Sequence, residues 1–264
     1  MTPEKDPEYL STLERGLRVL RAFDASRPEM ALSEVAVATA LPPAVARRCL
    51  NTLVALGYIK QDGRRFLLTP EVLTFGSAYL SSMNIETVAV PPLQALAQAT
   101  GDSVSLAVQS GREILYVCHI PSNRRIRLGA GVGTRFPLHA TSMGKVLLAH
   151  AGDAAIAAFL AAPLARLTER TVTDAESFRA RLAMVRERHY DSALDELDYG
   201  IVSVAVPVRD SAGQVVAAIN CSTSTTRISQ DELVRTRLPL LQDAADAIAA
   251  ELRRFPMLAR SLAR

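Results

Sequence analysis

Residues 41–59 read LPPAVARRCLNTLVALGYI. Leu41-Pro42-Pro43 breaks the chain and starts a helix, because proline is tolerated in a first helical turn, and Gly57 ends it. Advancing about 100° per residue from Val45, Cys49, Leu53 and Leu56 fall within roughly one quadrant, while Ala44, Arg47, Arg48, Asn51 and Ala55 gather on the far side. The apolar stripe would seat the helix on a small core. The far face is basic, with short residues between its long ones. A solvated surface helix would carry the same pattern, so the flanks have to decide between the two.

Upstream, SLERGLRVLRAFD starts at Ser11 with Glu14 three positions later, a capping-box pattern, and Leu13, Leu17, Val19 and Leu20 recur at helical spacing. Ser33 can cap a second short helix, SEVAVATAL. Downstream, Tyr58–Gln61 and Arg65–Leu68 flank Asp62-Gly63, a strong hairpin signal. Three short helices followed by a hairpin predict a winged helix-turn-helix, with Asp62–Arg65 as the wing tip carrying Arg64 and Arg65. A helix with a basic, small-residue face beside a basic wing fits the major groove of B-DNA.

Charge distribution agrees. Residues 11–70 hold nine Lys/Arg against five Asp/Glu, whereas from residue 71 onward there are twenty against nineteen. The positive excess therefore sits where a polyanion would be met. Three cysteines (Cys49, Cys118, Cys221) lie far apart without zinc or disulfide spacing, the N-terminal stretch MTPEKDPEYL lacks a signal-peptide apolar run, and nothing approaches the ~20 apolar residues of a membrane span. The expectation is a reduced, cytoplasmic protein with no cofactor, no metal and no membrane partner.

Thr69-Pro70 opens a further amphipathic stretch, EVLTFGSAYLSSM, which reads as a linker helix. The expected organisation is thus 1–69 winged helix-turn-helix, 70–83 linker helix and 84–264 a second domain. In that domain VAVPPLQALAQATG is helical. DSVSLAVQS and EILYVCHI pair around Gly111, and IRLGAGVGTRFPL is a strand running into a glycine-rich loop. SMGKVLLAH, DAAIAAFL and SFRARLAMVRERHY are helices, IVSVAVPVRD and QVVAAINCSTS form a second hairpin, and DELVRTRLPLLQDAADAIAAELRRF closes the chain as a helix. The fold class is α+β, an antiparallel sheet flanked by helices.

Several motifs together resemble the IclR family of bacterial transcription regulators along nearly the whole chain. They are Ser11-Leu13-Glu14-Arg15-Gly16-Leu17, Arg48-Cys49-Leu50-Asn51-Thr52-Leu53, Gly133-Thr134-Arg135-Phe136-Pro137, Ala140-Thr141-Ser142-Met143-Gly144-Lys145, Glu196 four residues before Gly200, and Val204-Ala205-Val206-Pro207-Val208. Within the family the likeness is strongest to the branch controlling breakdown of 4-hydroxybenzoate and protocatechuate. The resemblance implies a GAF-like effector domain binding a small carboxylate, double-stranded operator DNA as partner, and a homodimer or tetramer. It also implies a pocket lined at Arg125, Phe136, Ser142, Met143, Ala193, Ser203, Asn220 and Ser222. The sequence departs from the family where Ala193 replaces a polar residue, Asn220 replaces a small hydroxyl, and His139 stands in place of an aromatic hydroxyl.

The residue types suit that role. Arg125 could hold a carboxylate with two parallel hydrogen bonds, although Arg124, Arg125 and Arg127 could equally form a solvated basic loop. Ser142 at a helix start would face an anion, or Ser/Thr there could simply cap. Ser203, Asn220 and Ser222 alternate with apolar residues and need polar partners if they face inward. Enzyme readings are weak. Ser142-Met143-Gly144-Lys145 matches S-x-x-K without the companion motifs, Gly129–Gly133 runs into Phe136-Pro137 rather than a helix, and Cys118-His119 would point to opposite faces of a strand. The remaining alternative is a ligand-sensing module whose winged helix meets protein instead of DNA.

Overall fold

The computed structural model describes residues 8–122 and 130–263. Contacts divide the chain into two compact units between Tyr79 and Leu80, inside the helix Leu73–Ser82.

The N-terminal unit runs α1 (Ser11–Leu20), β1 (Glu29–Ala31), α2 (Leu32–Thr39), α3 (Pro43–Ala55), β2 (Ile59–Asp62), β3 (Arg65–Leu68), a 3-10 turn (Pro70–Val72) and α4 (Leu73–Ser82). The strands form an antiparallel sheet in the order β1-β3-β2. Strand β1 escaped the sequence reading because three residues are too few to show alternation. Val19, Phe23, Met30, Val35, Leu50, Ile59 and Phe66 make the core.

Four local expectations change. On α3 the buried face is Ala46, Cys49, Leu50 and Leu53, whereas Leu56 is 60% exposed. The helix packs against both α1 and α2, so the buried arc centres between the two neighbours and leaves out Leu56, the residue that follows the last turn. At α1 the predicted capping box is not formed: Leu10 is the N-cap without a side-chain bond, and Glu14 instead accepts from Arg18 Nε at 2.9 Å one turn on. Ser33 lies inside the first turn of α2 rather than capping it, and there Glu34 accepts the Ala31 N–H at 2.6 Å. Of the leucine stripe on α1, Leu13 and Leu17 remain exposed and only Val19 is fully buried.

The C-terminal unit contains α5 (Ile85–Val88), α6 (Val90–Thr100), β4 (Ser103–Ser110), β5 (Glu113–Ile120), β6 (Arg135–Pro137), α7 (Ser142–Ala149), α8 (Asp153–Leu160), α9 (Ala175–Arg188), β7 (Asp191–Leu194), β8 (Ile201–Arg209), β9 (Val215–Ser224), α10 (Gln230–Leu252) and α11 (Pro256–Leu262). One six-stranded antiparallel sheet, β6-β5-β4-β9-β8-β7, organises it. Both expected hairpins are present, turning at Gly111 and Gly213 with φ of 65° and 78°, values that glycine reaches without strain. Edge strand β7, four residues beginning with a buried Asp191, was not foreseen.

Helices α7 and α9 pack on one sheet face around Leu138, Val146, Phe178 and Leu182. Every residue of α7 is buried. The helix can lie this close because Gly144 meets the Leu138 backbone, where a Cβ would fall inside van der Waals contact. Helices α6 and α10 cover the sheet elsewhere. Fully buried Asp102 holds α10 through Arg237 Nε at 2.9 Å and also pairs with Arg227.

Candidate nucleic-acid interface and ligand pocket

Ala44, Arg47, Arg48 and Asn51 are all exposed on α3. The buried Ala46–Leu50 edge holds the helix while its basic side stands clear of the N-terminal unit's core. Gly63, at φ 56°, and Arg64 form a two-residue turn between the paired residues Asp62 and Arg65, so Arg64 tips the wing. Arg65 is not at the tip. Pairing of β1 with β3 places it opposite Ala31. Its guanidinium meets Glu29 at 2.7 Å and Glu34 at 3.4 Å and donates to the Glu29 carbonyl at 3.1 Å. The sequence could not show this, because Glu29 on β1 and Glu34 on the first turn of α2 are brought near only by the β1–β3 pairing.

In the C-terminal unit the antiparallel register lines up polar side chains in rows across the sheet. Ala193, Ser203, Ser222 and Ser103 form one row. Asp191, Ala205, Asn220, Ser105 and His119 form the next, two residues along and on the same face. A small cavity of about 20 Å³ opens over these rows, lined among others by Tyr116, Ser142, Met143, Ala193, Ser203, Asn220 and Ser222. Six predicted pocket residues thus converge. Phe136 does not line the cavity; it packs edge-on behind Tyr116, with centroids 5.6 Å apart at 74°. Arg125 lies outside the described residues.

Thr141 settles the capping question. Its Oγ1 accepts the Gly144 N–H at 3.1 Å, whereas the Ser142 hydroxyl faces the sheet and shares a 2.8 Å hydrogen bond with Ser203. Tyr116 was missed, and the reason is a bulge. Between Leu106 and Ala107 the β4–β5 register shifts, so Ala107 opposes Tyr116 rather than Val117. Simple alternation from His119 would send Tyr116 to the other face; the extra residue reverses its side. The two rings then lie 5.9 Å apart. Burial pushes the Tyr116 phenol up to about 12, partly offset by the Ser105 and Asn220 side chains at its hydroxyl.

Glu196 also lines the cavity. Fully buried Lys145 donates to both of its carboxylate oxygens at 2.6 Å and lies 3.2 Å from Asp191. Asp191 in turn receives Arg181 at 2.7 Å and Arg188 at 3.0 Å. The lysine of the S-x-x-K match is therefore committed to two carboxylates rather than poised as a base beside Ser142. Cys118 faces away from His119, burial raises its thiol to about 11, and His119 Nδ1 is bonded to Ser105 at 2.9 Å. Among the described residues no group of three or more His, Cys, Asp and Glu could hold a metal ion, and no helix is long and apolar enough to cross a membrane.

An exposed basic helix beside a wing in one unit, and a polar cavity against a sheet in the other, define a class: a transcriptional regulator with a winged helix-turn-helix and a separate small-molecule domain. The family model described as the IclR helix-turn-helix domain matches residues 12–63, and the one described as bacterial transcriptional regulator IclR C-terminal matches residues 77–250. The chain belongs to the IclR family, whose members are transcriptional regulators rather than enzymes. It is 37% identical over 249 residues to the Pca regulon regulatory protein of Pseudomonas putida, spanning 94% of this chain and 86% of that one. It is 36% identical over 247 residues to the p-hydroxybenzoate hydroxylase transcriptional activator of Acinetobacter baylyi, spanning 91% of each. Among solved structures, an IclR homolog complexed with 4-hydroxybenzoate from Microbacterium hydrocarbonoxydans superposes with a TM-score of 0.77 at 28% identity, covering 92% of this chain and 99% of that one.

Proposed function

We propose that this regulator responds to a small carboxylate effector, an aromatic acid such as 4-hydroxybenzoate or protocatechuate. The convergence of Ser142, Ser203, Asn220, Ser222 and Tyr116 on one cavity carries the reading. Such side chains on a buried face need partners, and a ligand with polar ends is one. The effector carboxylate is assigned to the start of α7, where the Ser142 and Met143 amides precede the helix's own hydrogen bonds, with Arg125 as its cationic partner. Lys145 neutralises Glu196 nearby, which removes a like charge from the anion's path. The names of the two curated relatives and the 4-hydroxybenzoate complex of the structural relative support the aromatic class.

The cavity's size suggests how a signal arises. At about 20 Å³ it is near the volume of one water, so a benzoic acid enters only when the lining parts. A ligand that binds an opened arrangement and not a closed one shifts the equilibrium between them, which is the requirement for an allosteric response.

On DNA, Ala44, Arg47, Arg48 and Asn51 read base edges in the major groove, and Arg64 reaches phosphates. Arg65 supports the wing through Glu29 and Glu34 rather than meeting DNA first. The protein acts as a dimer on two inverted half-sites. An apolar groove of about 470 Å³ in the N-terminal unit, lined by Leu13, Leu17, Leu53, Leu56 and Phe75, supports self-association there. Thermal-shift titration with 4-hydroxybenzoate and protocatechuate tests the effector: at 100 times the dissociation constant a ligand stabilises the native state by about 2.7 kcal/mol. A flat response to both acids at millimolar concentration would refute the aromatic assignment.

A further inference from the structure

One residue of the cavity wall carries a buried polar atom that has no partner among the described residues. Asn220 is 4% exposed and lines the cavity, yet its Oδ1 accepts no hydrogen bond among the described residues. Its neighbours explain why that atom is held in place and still free. Antiparallel pairing sets Asn220 between Ser105 on β4 and Ala205 on β8, and the β5 bulge brings Tyr116 over the same spot. Ser105 is already engaged with His119 Nδ1, and Ser142 with Ser203. Ala205 and Ala218 nearby contribute no donor. The Asn220 side chain bonds to the Tyr116 hydroxyl; since the unpartnered atom is Oδ1, the amide nitrogen makes that bond and the carbonyl oxygen stays unpaired on a residue of the cavity wall. A buried acceptor without a donor is destabilising, and such an orphan at a cavity wall is a feature that a ligand's donor would satisfy.

We propose that Tyr116, Ser105 and Asn220 form a hydroxyl-recognising end of the pocket, and that the effector carries a hydroxyl group which donates to Asn220 Oδ1. This rests on the aromatic-acid reading and narrows it: the ligand must be hydroxylated at the end away from its carboxylate, and the unsubstituted acid fits the same shape while leaving the acceptor orphaned. Asn220 is the selecting group. Tyr116 is a positioning residue, because its hydroxyl fixes which way round the amide stands.

A site built to take a hydroxyl discriminates strongly against the analogue lacking it, since the protein's own group is then buried unpaired. Isothermal titration of the full-length protein with 4-hydroxybenzoate and with benzoate reads this directly. The wild type is expected to prefer 4-hydroxybenzoate by at least ~30-fold. Asn220→Ala should bring the ratio to within about threefold by weakening 4-hydroxybenzoate while leaving benzoate little changed. Tyr116→Phe should lower the ratio part of the way, and its retained ring keeps the packing against Phe136. Equal affinities in the wild type, or an Asn220→Ala variant that weakens both acids alike, would overturn the proposal while leaving the aromatic reading standing. Failure of both acids to bind would instead refute the aromatic reading, and the proposal with it. Circular dichroism and melting of each variant establish that a lost affinity is not a lost fold.

Discussion

Replacing Lys145 by methionine probes the charge cluster under the pocket. The substitution conserves length and apolar volume, so the change is almost entirely electrostatic. Lys145 is 0% exposed, and its ammonium is the cation bonded to both oxygens of Glu196, itself 8% exposed. Asp191 would survive the loss, because Arg181 and Arg188 still reach it at 2.7 and 3.0 Å. Glu196 would be left as a buried carboxylate without its counter-ion. Removing one partner of a buried pair destabilises by roughly 3–5 kcal/mol, where replacing both partners together is far milder. For a unit of this size each kcal/mol moves the melting point by about 2–4 °C, so Lys145→Met should melt about 6–20 °C lower. The double variant Lys145→Met with Glu196→Gln should recover at least half of that. Calorimetry of the transition belonging to the C-terminal unit is the assay, since two units need not melt together. A single variant melting within 2 °C of wild type, or a double variant no more stable than the single, would refute the reasoning.

Two further outcomes follow from the geometry. Arg47→Ala or Arg48→Ala should weaken operator binding by roughly 1–3 kcal/mol and relax specificity at one base pair, whereas Arg64→Ala should weaken all sequences and reduce the salt slope by about one unit. Fluorescence-anisotropy titrations across salt check this, and identical behaviour of the two sets would contradict the roles assigned. Burial depresses the pKa of both His139 and His150 below the ordinary histidine value, outweighing their bonds to the Ala165 and Val146 carbonyls. A depressed folded-state pKa means that the unfolded chain takes up the proton first. The associated stability is therefore complete above about pH 6.5 and is lost as pH falls from there through the depressed values. Melting temperature should drop between pH 7 and 5, less steeply in His139→Gln, which keeps a donor for the Ala165 carbonyl; an unchanged slope would show that His139 is not responsible.

Much of the architecture is legible in residue order because it depends on local chemistry. Pro42-Pro43 and Gly57 bracket α3, Gly63 marks the wing turn, and the alternating runs around Gly111 and Gly213 become hairpins. Helical spacing likewise put Arg47, Arg48 and Asn51 on one side, and they stand exposed there. Short-range periodicity suffices for such features, since a helix or a tight hairpin is closed by residues only a few positions apart. The family motifs extended this reach to Ser142, Ala193, Ser203, Asn220 and Ser222, whose meeting no spacing rule would reveal.

What escaped depends on who neighbours whom across long separations. Arg65 is drawn off the wing tip by Glu29 on a strand too short to predict, and the buried face of α3 is set by two helices pressing on it rather than by its own stripe. Tyr116 reaches the cavity only because one bulged residue reverses strand parity, a change invisible to alternation counted along β5. Lys145, which in the sequence is only the last residue of an S-x-x-K match and of a family motif, is buried because Asp191 and Glu196 come to it from an edge strand and the loop after it. A linear pattern records which face a side chain prefers. Register, bulges and long-range ion pairs are settled when distant segments compete for the same space and the same charges, so they appear only in the folded chain.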